Sequence, residues 1–156
     1  MQAKRGFTLV EILIVVVILG ILAAIVIPQF TQASTEAKTN SLCSNLQTLR
    51  SQIELYKVQH NDNAPDLATF ANQMCFCTDI NGNVKPGPSK VRDTGAGAVF
   101  VYGPYLERVP ENPFNNSDTL DDVYAEGVGW VYTEATGEIR TGVGPAGMAA
   151  VDIAKL

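Results

Sequence analysis

The chain has 156 residues, a formal net charge of −5, 46% hydrophobic and 17% charged residues, three cysteines and a single histidine. That length holds one compact domain with an appendage rather than two full domains, and the apolar content excludes intrinsic disorder. The acidic balance, with no basic stretch to meet a phosphate backbone, argues against nucleic acid as a partner, and one histidine, His60, leaves little room for His-based catalysis or a multi-His metal site.

Residues 1–6 read Met-Gln-Ala-Lys-Arg-Gly, so Lys4 and Arg5 stand directly before an apolar run. From Phe7 to Ile27 only Thr8 and Glu11 are polar. At about 1.5 Å rise per residue such a helix spans roughly 30 Å, the thickness of a bilayer core. In lipid the backbone must satisfy its own hydrogen bonds, which forces a helix despite the many Val and Ile residues. The two cations predict an N-terminus in the cytoplasm and the rest of the chain outside. A cleaved secretory signal would carry an apolar region of about 7–15 residues closed by a small-x-small site. The uninterrupted run Ile12–Ile27 is longer, and Thr31-Gln32-Ala33 is a poor match to such a site. A plain signal anchor accounts for the length and the charges but not for Glu11, because intramembrane carboxylates are costly and usually functional. Snorkelling of Glu11 to the interface, favoured by the positive helix N-terminus, is the alternative. A cut between Gly6 and Phe7 would create an ammonium able to neutralise Glu11 of a neighbouring copy.

Lys4-Arg5-Gly6-Phe7-Thr8-Leu9-Val10-Glu11 resembles the class III leader and cleavage site of type IV pilins and type II secretion pseudopilins, and Ile27-Pro28-Gln29-Phe30 is similar to the segment that closes the family's apolar run. The resemblance implies that a prepilin peptidase cuts after Gly6 and methylates the Phe7 amine, and that Phe7, Glu11 and Pro28 serve assembly. It implies a structural filament subunit rather than an enzyme. The partners implied are further copies of the chain in a helical homopolymer, the peptidase, a membrane assembly platform with its cytoplasmic ATPase, and membrane lipid. The implied fold is α+β and pilin-like: a long N-terminal helix, half membrane-spanning and half amphipathic, packed on a small antiparallel β-sheet head. The implied location is the bacterial inner membrane, crossed once. On this reading residues 1–6 are a cleaved leader, 7–28 the transmembrane and assembly helix, 29–60 its amphipathic half, and 61–156 the head.

Within the helix, Gly20 and Pro28 bracket Ile21–Ile27. Proline removes one backbone bond and crowds the preceding turn, which predicts a kink or break, and the resemblance implies partial unwinding here when subunits pack. Leu42, Leu46, Leu49, Ile53 and Tyr56 then recur at spacings of 4, 3, 4 and 3, one apolar stripe on a polar helix. The stripe is too short for a coiled coil and predicts a helix packed on its own head, ended by Asn61-Asp62-Asn63-Ala64-Pro65. Residues 65–75 predict a second short helix with Leu67, Phe70, Ala71 and Met74 on one side. The glycines and prolines of 81–97 predict a loop, and Ala98–Tyr102 a strand. Val128–Tyr132 and Glu138–Thr141 flank Thr133-Glu134-Ala135-Thr136-Gly137, predicting a β-hairpin with Gly137 at a positive φ. Trp130, Tyr132, Phe100 and Tyr105 are expected to cover the amphipathic helix. The Gly- and Ala-rich tail 142–156 is expected to lie on the surface or fray.

Three cysteines allow at most one intramolecular bridge. With the head outside the cytoplasm, Cys43 paired to Cys75 or to Cys77 would staple the helix to the following loop, while Cys75–Cys77 would close a strained ring. A zinc site from these thiols and His60 is disfavoured by the Cys-x-Cys spacing. Asn115-Asn116-Ser117-Asp118 with Asp121 and Asp122 is an oxygen-rich loop of the kind hard calcium ions take, or a solvated polar turn. The resemblance favours calcium as the one cofactor, with Asp118, Asp121 and Asp122 as candidate ligands, because major pseudopilins carry a calcium site in their C-terminal loops. No catalytic constellation is visible, so an envelope enzyme on a signal anchor is a distant alternative. Gly103-Pro104-Tyr105-Leu106-Glu107-Arg108-Val109-Pro110-Glu111-Asn112-Pro113 resembles the Tyr-Leu…Pro-x-x-Pro region of major pseudopilins, which ranks a pseudopilin driving protein export above a pilus pilin.

Overall fold

A computed structural model of the chain describes residues 7–143. The leader, with Gly6, and the tail from residue 144 lie outside the described residues. In chain order the elements are α1 (Leu9–Gln59), a single 3-10 turn (Leu67–Thr69), α2 (Phe70–Cys75), β1 (Leu120–Asp121), β2 (Trp130–Thr133) and β3 (Glu138–Thr141). The chain divides into two units between Ala37 and Lys38.

In the first unit every described side chain is exposed. This is the one stretch of the described chain that is both helical and apolar enough to cross a membrane. Neither Gly20 nor Pro28 interrupts α1, contrary to the break expected at the proline. A proline removes one bond from a ladder that has intact turns on both sides. Thr31 and Thr35 add side-chain bonds along the same stretch, Oγ1 donating to the Ile27 carbonyl at 3.2 Å and to the Thr31 carbonyl at 3.0 Å.

The second unit is the head. The stripe Leu42, Leu46, Leu49, Ile53 and Tyr56 is 0–2% exposed, as its spacing predicts. Phe70, Met74, Trp130, Tyr132 and Ile139 close over it in one cluster. Two expectations fail here: Ala71 is exposed and Gln73 is buried in its place, and Phe100 stays outside the core. Gln73 is tolerated inside because its amide is used at both ends, with Oε1 accepting from the Asp66 amide at 2.7 Å and Nε2 donating to the Gly82 carbonyl at 3.1 Å.

The hairpin forms as expected. β2 and β3 pair antiparallel with Trp130 opposite Thr141 and Thr133 opposite Glu138, and Gly137 takes φ 73° in the turn. The sheet itself is mixed rather than antiparallel: β1 pairs parallel with β2, Leu120 opposite Trp130. A parallel partner normally needs a crossover of about a dozen residues. Here residues 122–129 suffice because β1 is only two residues long. The strand expected at Ala98–Tyr102 reduces to one bridge, Tyr102 to Thr78, since Gly95, Gly97 and Gly103 all take positive φ around it.

The carboxyl-terminal part of the head is tied by one fully buried amide. Asn112 Nδ2 lies 2.9 Å from the Gly129 carbonyl, 3.0 Å from Thr141 Oγ1 and 2.8 Å from the Val143 carbonyl, while its Oδ1 accepts the Phe114 amide at 3.0 Å. Gly129 is required beside it, because a Cβ there would collide with the Ser117 carbonyl. Truncating Asn112 leaves several buried groups without partners at about 1–3 kcal/mol for each such group. Asn112→Ala is expected to lower the unfolding free energy by about 3 kcal/mol, with Asn112→Asp no better because a carboxylate cannot donate; denaturant titration of the full chain in detergent measures both.

Candidate functional site

The site begins where the apolar helix begins. Thr8 is the residue before α1, and Glu11 is its third residue. The Thr8 amide donates to Glu11 Oε2 at 2.8 Å, the Thr8 hydroxyl donates to the same oxygen at 2.8 Å, and the Glu11 amide donates to Thr8 Oγ1 at 3.3 Å. These reciprocal bonds are a capping box, which satisfies two of the four orphan amides at a helix start. The sequence signature of this box is Thr8-x-x-Glu11, a spacing distinct from the charge and membrane arguments for Glu11. The carboxylate thus has a structural role in the single chain, and it is held at the positive helix N-terminus. Around it the surface is apolar: Phe7 is 82% exposed and Leu9 81%. Phe7 lies one residue before Thr8, so an amine created at Phe7 would stand next to the capped carboxylate. Pro28 stays helical and exposed, with no contact that gives it a role in the isolated chain.

The segment Gly103–Pro113 connects the parts of the head. The Tyr105 and Leu106 amides both donate to the Met74 carbonyl at the end of α2, at 2.8 and 2.9 Å. The Tyr105 hydroxyl donates to Gln59 Oε1 at 2.7 Å. Further along, the Pro110 carbonyl accepts Trp130 Nε1 at 2.8 Å, and the Glu111 carbonyl accepts Asn45 Nδ2 at 3.1 Å.

The three thiols are free in this structure, with Cys75 and Cys77 buried and Cys43 partly buried. Cys77 precedes Thr78, whose hydroxyl bonds His60 Nε2 at 3.0 Å. Cys43 is 17 residues N-terminal of His60 on the helix line, roughly 25 Å at 1.5 Å per residue, which separates it from Cys77, while Cys75 shares the core cluster with Leu42 beside Cys43. Cys75 also sits against the Val109 backbone, and burial pushes its thiol up. Among the described residues no three His, Cys, Asp or Glu side chains group together, a count that leaves out the backbone and amide oxygens calcium also takes. Asp121 ends the two-residue strand β1 and Asp122 lies in the bend that follows, with Asp121 Oδ1 accepting the Asp122 amide at 2.8 Å. The loop is tied by its own bonds, Asn115 Nδ2 to the Val128 carbonyl at 2.9 Å and Ser117 Oγ against Thr119 Oγ1 at 2.8 Å.

His60 is a structural residue. It is 1% exposed, stacked on Tyr56 with ring centroids 3.8 Å apart, and its Nδ1 lies 2.8 Å from the Tyr56 carbonyl. Burial holds its pKa below the usual imidazole value, outweighing the favourable Tyr56 and Asp79 contacts. Burial also opposes ionisation of Asp79, but bonds from the Asn83 side chain and from the Asn83 and Asn81 amides outweigh it and keep that carboxyl below the ordinary range.

An apolar helix preceded in sequence by Lys4 and Arg5 and opened by a capped glutamate, whose far end carries the core stripe of a small head, defines a pilin-like subunit. Residues 1–27 match the prokaryotic N-terminal methylation motif. The chain is 38% identical over 120 residues, 76% of its length and 74% of the relative's, to type II secretion system core protein G of Klebsiella michiganensis. It is 32% identical to the protein of the same name from Pseudomonas aeruginosa, over 74% of this chain and 71% of that one. A fimbrial protein of P. aeruginosa is 43% identical over 54 residues, only 35% of either chain. No solved structure matches the chain. The chain belongs to the family of type II secretion system core protein G, the major pseudopilins, and is a structural subunit anchored in a membrane rather than an enzyme.

The buried histidine sets a pH dependence for the head. Its folded pKa lies below the unfolded value of about 6.5, so above that pH neither state gains a proton. As pH falls through it, the unfolded chain binds a proton that the folded head refuses, and stability is lost. Thermal melting of the full chain is expected to move down between pH 7.5 and 5.5, and His60→Asn should flatten that slope whatever it does to the melting temperature at pH 7.5.

Proposed function

We propose that the chain is cut between Gly6 and Phe7 by a prepilin peptidase, methylated at the new amine, and held in the cytoplasmic membrane with its N-terminus inside. From there it polymerises, on an assembly platform driven by a cytoplasmic ATPase, into the filament that moves proteins out in type II secretion. The names of the relatives and the methylation motif support the pathway; Lys4 and Arg5 support the orientation. The observation that carries the assembly mechanism is the position of Glu11. Its carboxylate is fixed at the start of an exposed apolar helix, next to where cleavage would place an ammonium.

Thr8 orients that carboxylate but cannot neutralise it, since both of its donors are uncharged. A charge near lipid remains costly until an opposite charge meets it. Apolar contact along Ile12–Ile27 supplies area but little register, because lipid is as apolar as the helix face. A Phe7 ammonium of one copy meeting Glu11 of another would reward a single axial stagger, the use of buried ion pairs that is best attested. Pro28 and Gly20 are where the helix would yield as copies pack.

Two variants separate the cap from the charge. Glu11→Gln can still accept the Thr8 amide in a capping box but carries no charge, whereas Glu11→Ala loses both. Expressed with the assembly machinery, both should be cleaved and methylated, as read by intact mass, and both should yield few or no sheared filaments in electron micrographs. Filaments of normal number and length from Glu11→Gln would refute the charge pairing and leave Glu11 as a helix cap alone.

A further inference from the structure

The head contains a polar cleft of about 570 Å³ at the carboxyl end of α1. Asp62, Asp66 and Glu134 line it, and among the described residues no lysine or arginine does. Lys57 is near in sequence, but its ammonium is bound to Glu54 at 3.2 Å and to the Thr136 carbonyl at 3.4 Å. The end of a long helix adds partial negative charge, where a cation rather than Asp62 would be the favourable neighbour. Acids gathered against a helix C-terminus without a counter-charge oppose the local electrostatics, and such conflicts concentrate at functional positions.

A second observation points the same way. Tyr56 is 2% exposed, and its hydroxyl has no hydrogen-bond partner among the described residues. Among the described residues no sealed side-chain polar atom lacks a partner, so the remaining exposure of Tyr56 includes this oxygen, and the cleft is where Tyr56 reaches solvent. Gly82 keeps it uncovered: a Cβ there would come within 2.5 Å of the hydroxyl. Burial, with Asp66 nearby, pushes the Tyr56 hydroxyl well above the ordinary phenol range, so it stays neutral and its lone pairs are available. The two best-placed carboxylates are already oriented by the protein. Glu134 Oε2 accepts the Leu67 amide at 2.9 Å, and Asp66 Oδ2 accepts Gln73 Nε2 at 3.0 Å. Each keeps its second oxygen for a ligand.

We propose that this cleft binds an organic cation, a guanidinium in preference to an alkylammonium, between the Asp66 and Glu134 carboxylates and the Tyr56 hydroxyl. A planar fork with five donors spans separated acceptors at lower dehydration cost than a compact ammonium. Asp62, which also lines the cleft, attracts the charge, and the Asn81 side-chain carbonyl there supplies a further acceptor. The cation can arrive on an arginine side chain of another protein or as a free small molecule; the chemistry is the same.

The test uses the full-length, isotope-labelled chain in zwitterionic micelles, titrated by NMR with N-acetyl-arginine methylamide, the lysine analogue, and the neutral glutamine analogue. Saturable shifts at the Leu67, Gln73 and Asn81 amides are expected, tighter for arginine than lysine and missing for glutamine. Asp66→Asn with Glu134→Gln keeps the internal bonds but should weaken binding about tenfold or more, as expected on losing charge-assisted bonds. Tyr56→Phe should weaken it about fivefold, one neutral hydrogen bond, while Glu107→Gln, outside the cleft, should change nothing. Melting curves confirm that each variant is folded. Non-saturating shifts, equal response to the glutamine probe, or full affinity in the double variant overturns the proposal. A photo-crosslinker at Ala135 in cells identifies the source: a protein adduct displaced by excess arginine probe means a side chain, and probe binding without an adduct means a free cation.

Discussion

One helix has to satisfy two solvents. Over its first twenty residues α1 presents apolar side chains on every side, and over its last eighteen it presents a single apolar stripe. A helix that is apolar all round belongs in lipid, and a helix with one stripe belongs on a core. The stripe residues Leu42, Leu46, Leu49, Ile53 and Tyr56 are worth about 10 kcal/mol together as buried side chains, an upper figure because unfolded chains also bury some surface. The head contributes the other side of that contact with Phe70, Met74, Trp130, Tyr132 and Ile139. Its two- and four-residue strands would not form a stable sheet alone; the helix is the layer they pack against.

Because regular structure is sparse after α2, the head depends on specific polar ties. Trp130 and Tyr132 are fully buried aromatic rings whose polar tips each reach a backbone carbonyl, Pro110 at 2.8 Å and Pro65 at 2.7 Å. Asn112 does the same for three acceptors at once. Each tie satisfies a group that burial would otherwise penalise, and no sealed side-chain polar atom among the described residues is left without a partner. These ties also explain why a long irregular stretch, residues 76–119, can be ordered without strands: its backbone is paired turn by turn, with Cys77 to Ser89, Thr78 to Tyr102 and Asp93 to Phe100.

The assembly end and the head place carboxylates on opposite principles. Glu11 sits at a helix N-terminus, where both the dipole and the Thr8 donors welcome it. Asp62 sits beyond a helix C-terminus, where nothing of the kind does. The first arrangement holds a charge ready without neutralising it; the second leaves acids that no lysine or arginine among the described residues meets. Both are consistent with a subunit whose electrostatics are completed by something outside the single chain.

The sequence by itself determined the membrane-length apolar run, the stripe, the hairpin with Gly137 and the absence of a catalytic constellation, because each rests on periodicity, composition or turn chemistry within a few residues. The capping box is legible too, in the spacing Thr8-x-x-Glu11. Only the tertiary structure decided the rest. The parallel pairing of β1 with β2 depends on contacts that two residues cannot announce. The choice of Gln73 over Ala71 for the core depends on partners, Asp66 and Gly82, that become neighbours only when the chain turns back. Local patterns fix elements; which side chains meet is set by the geometry that closes over them.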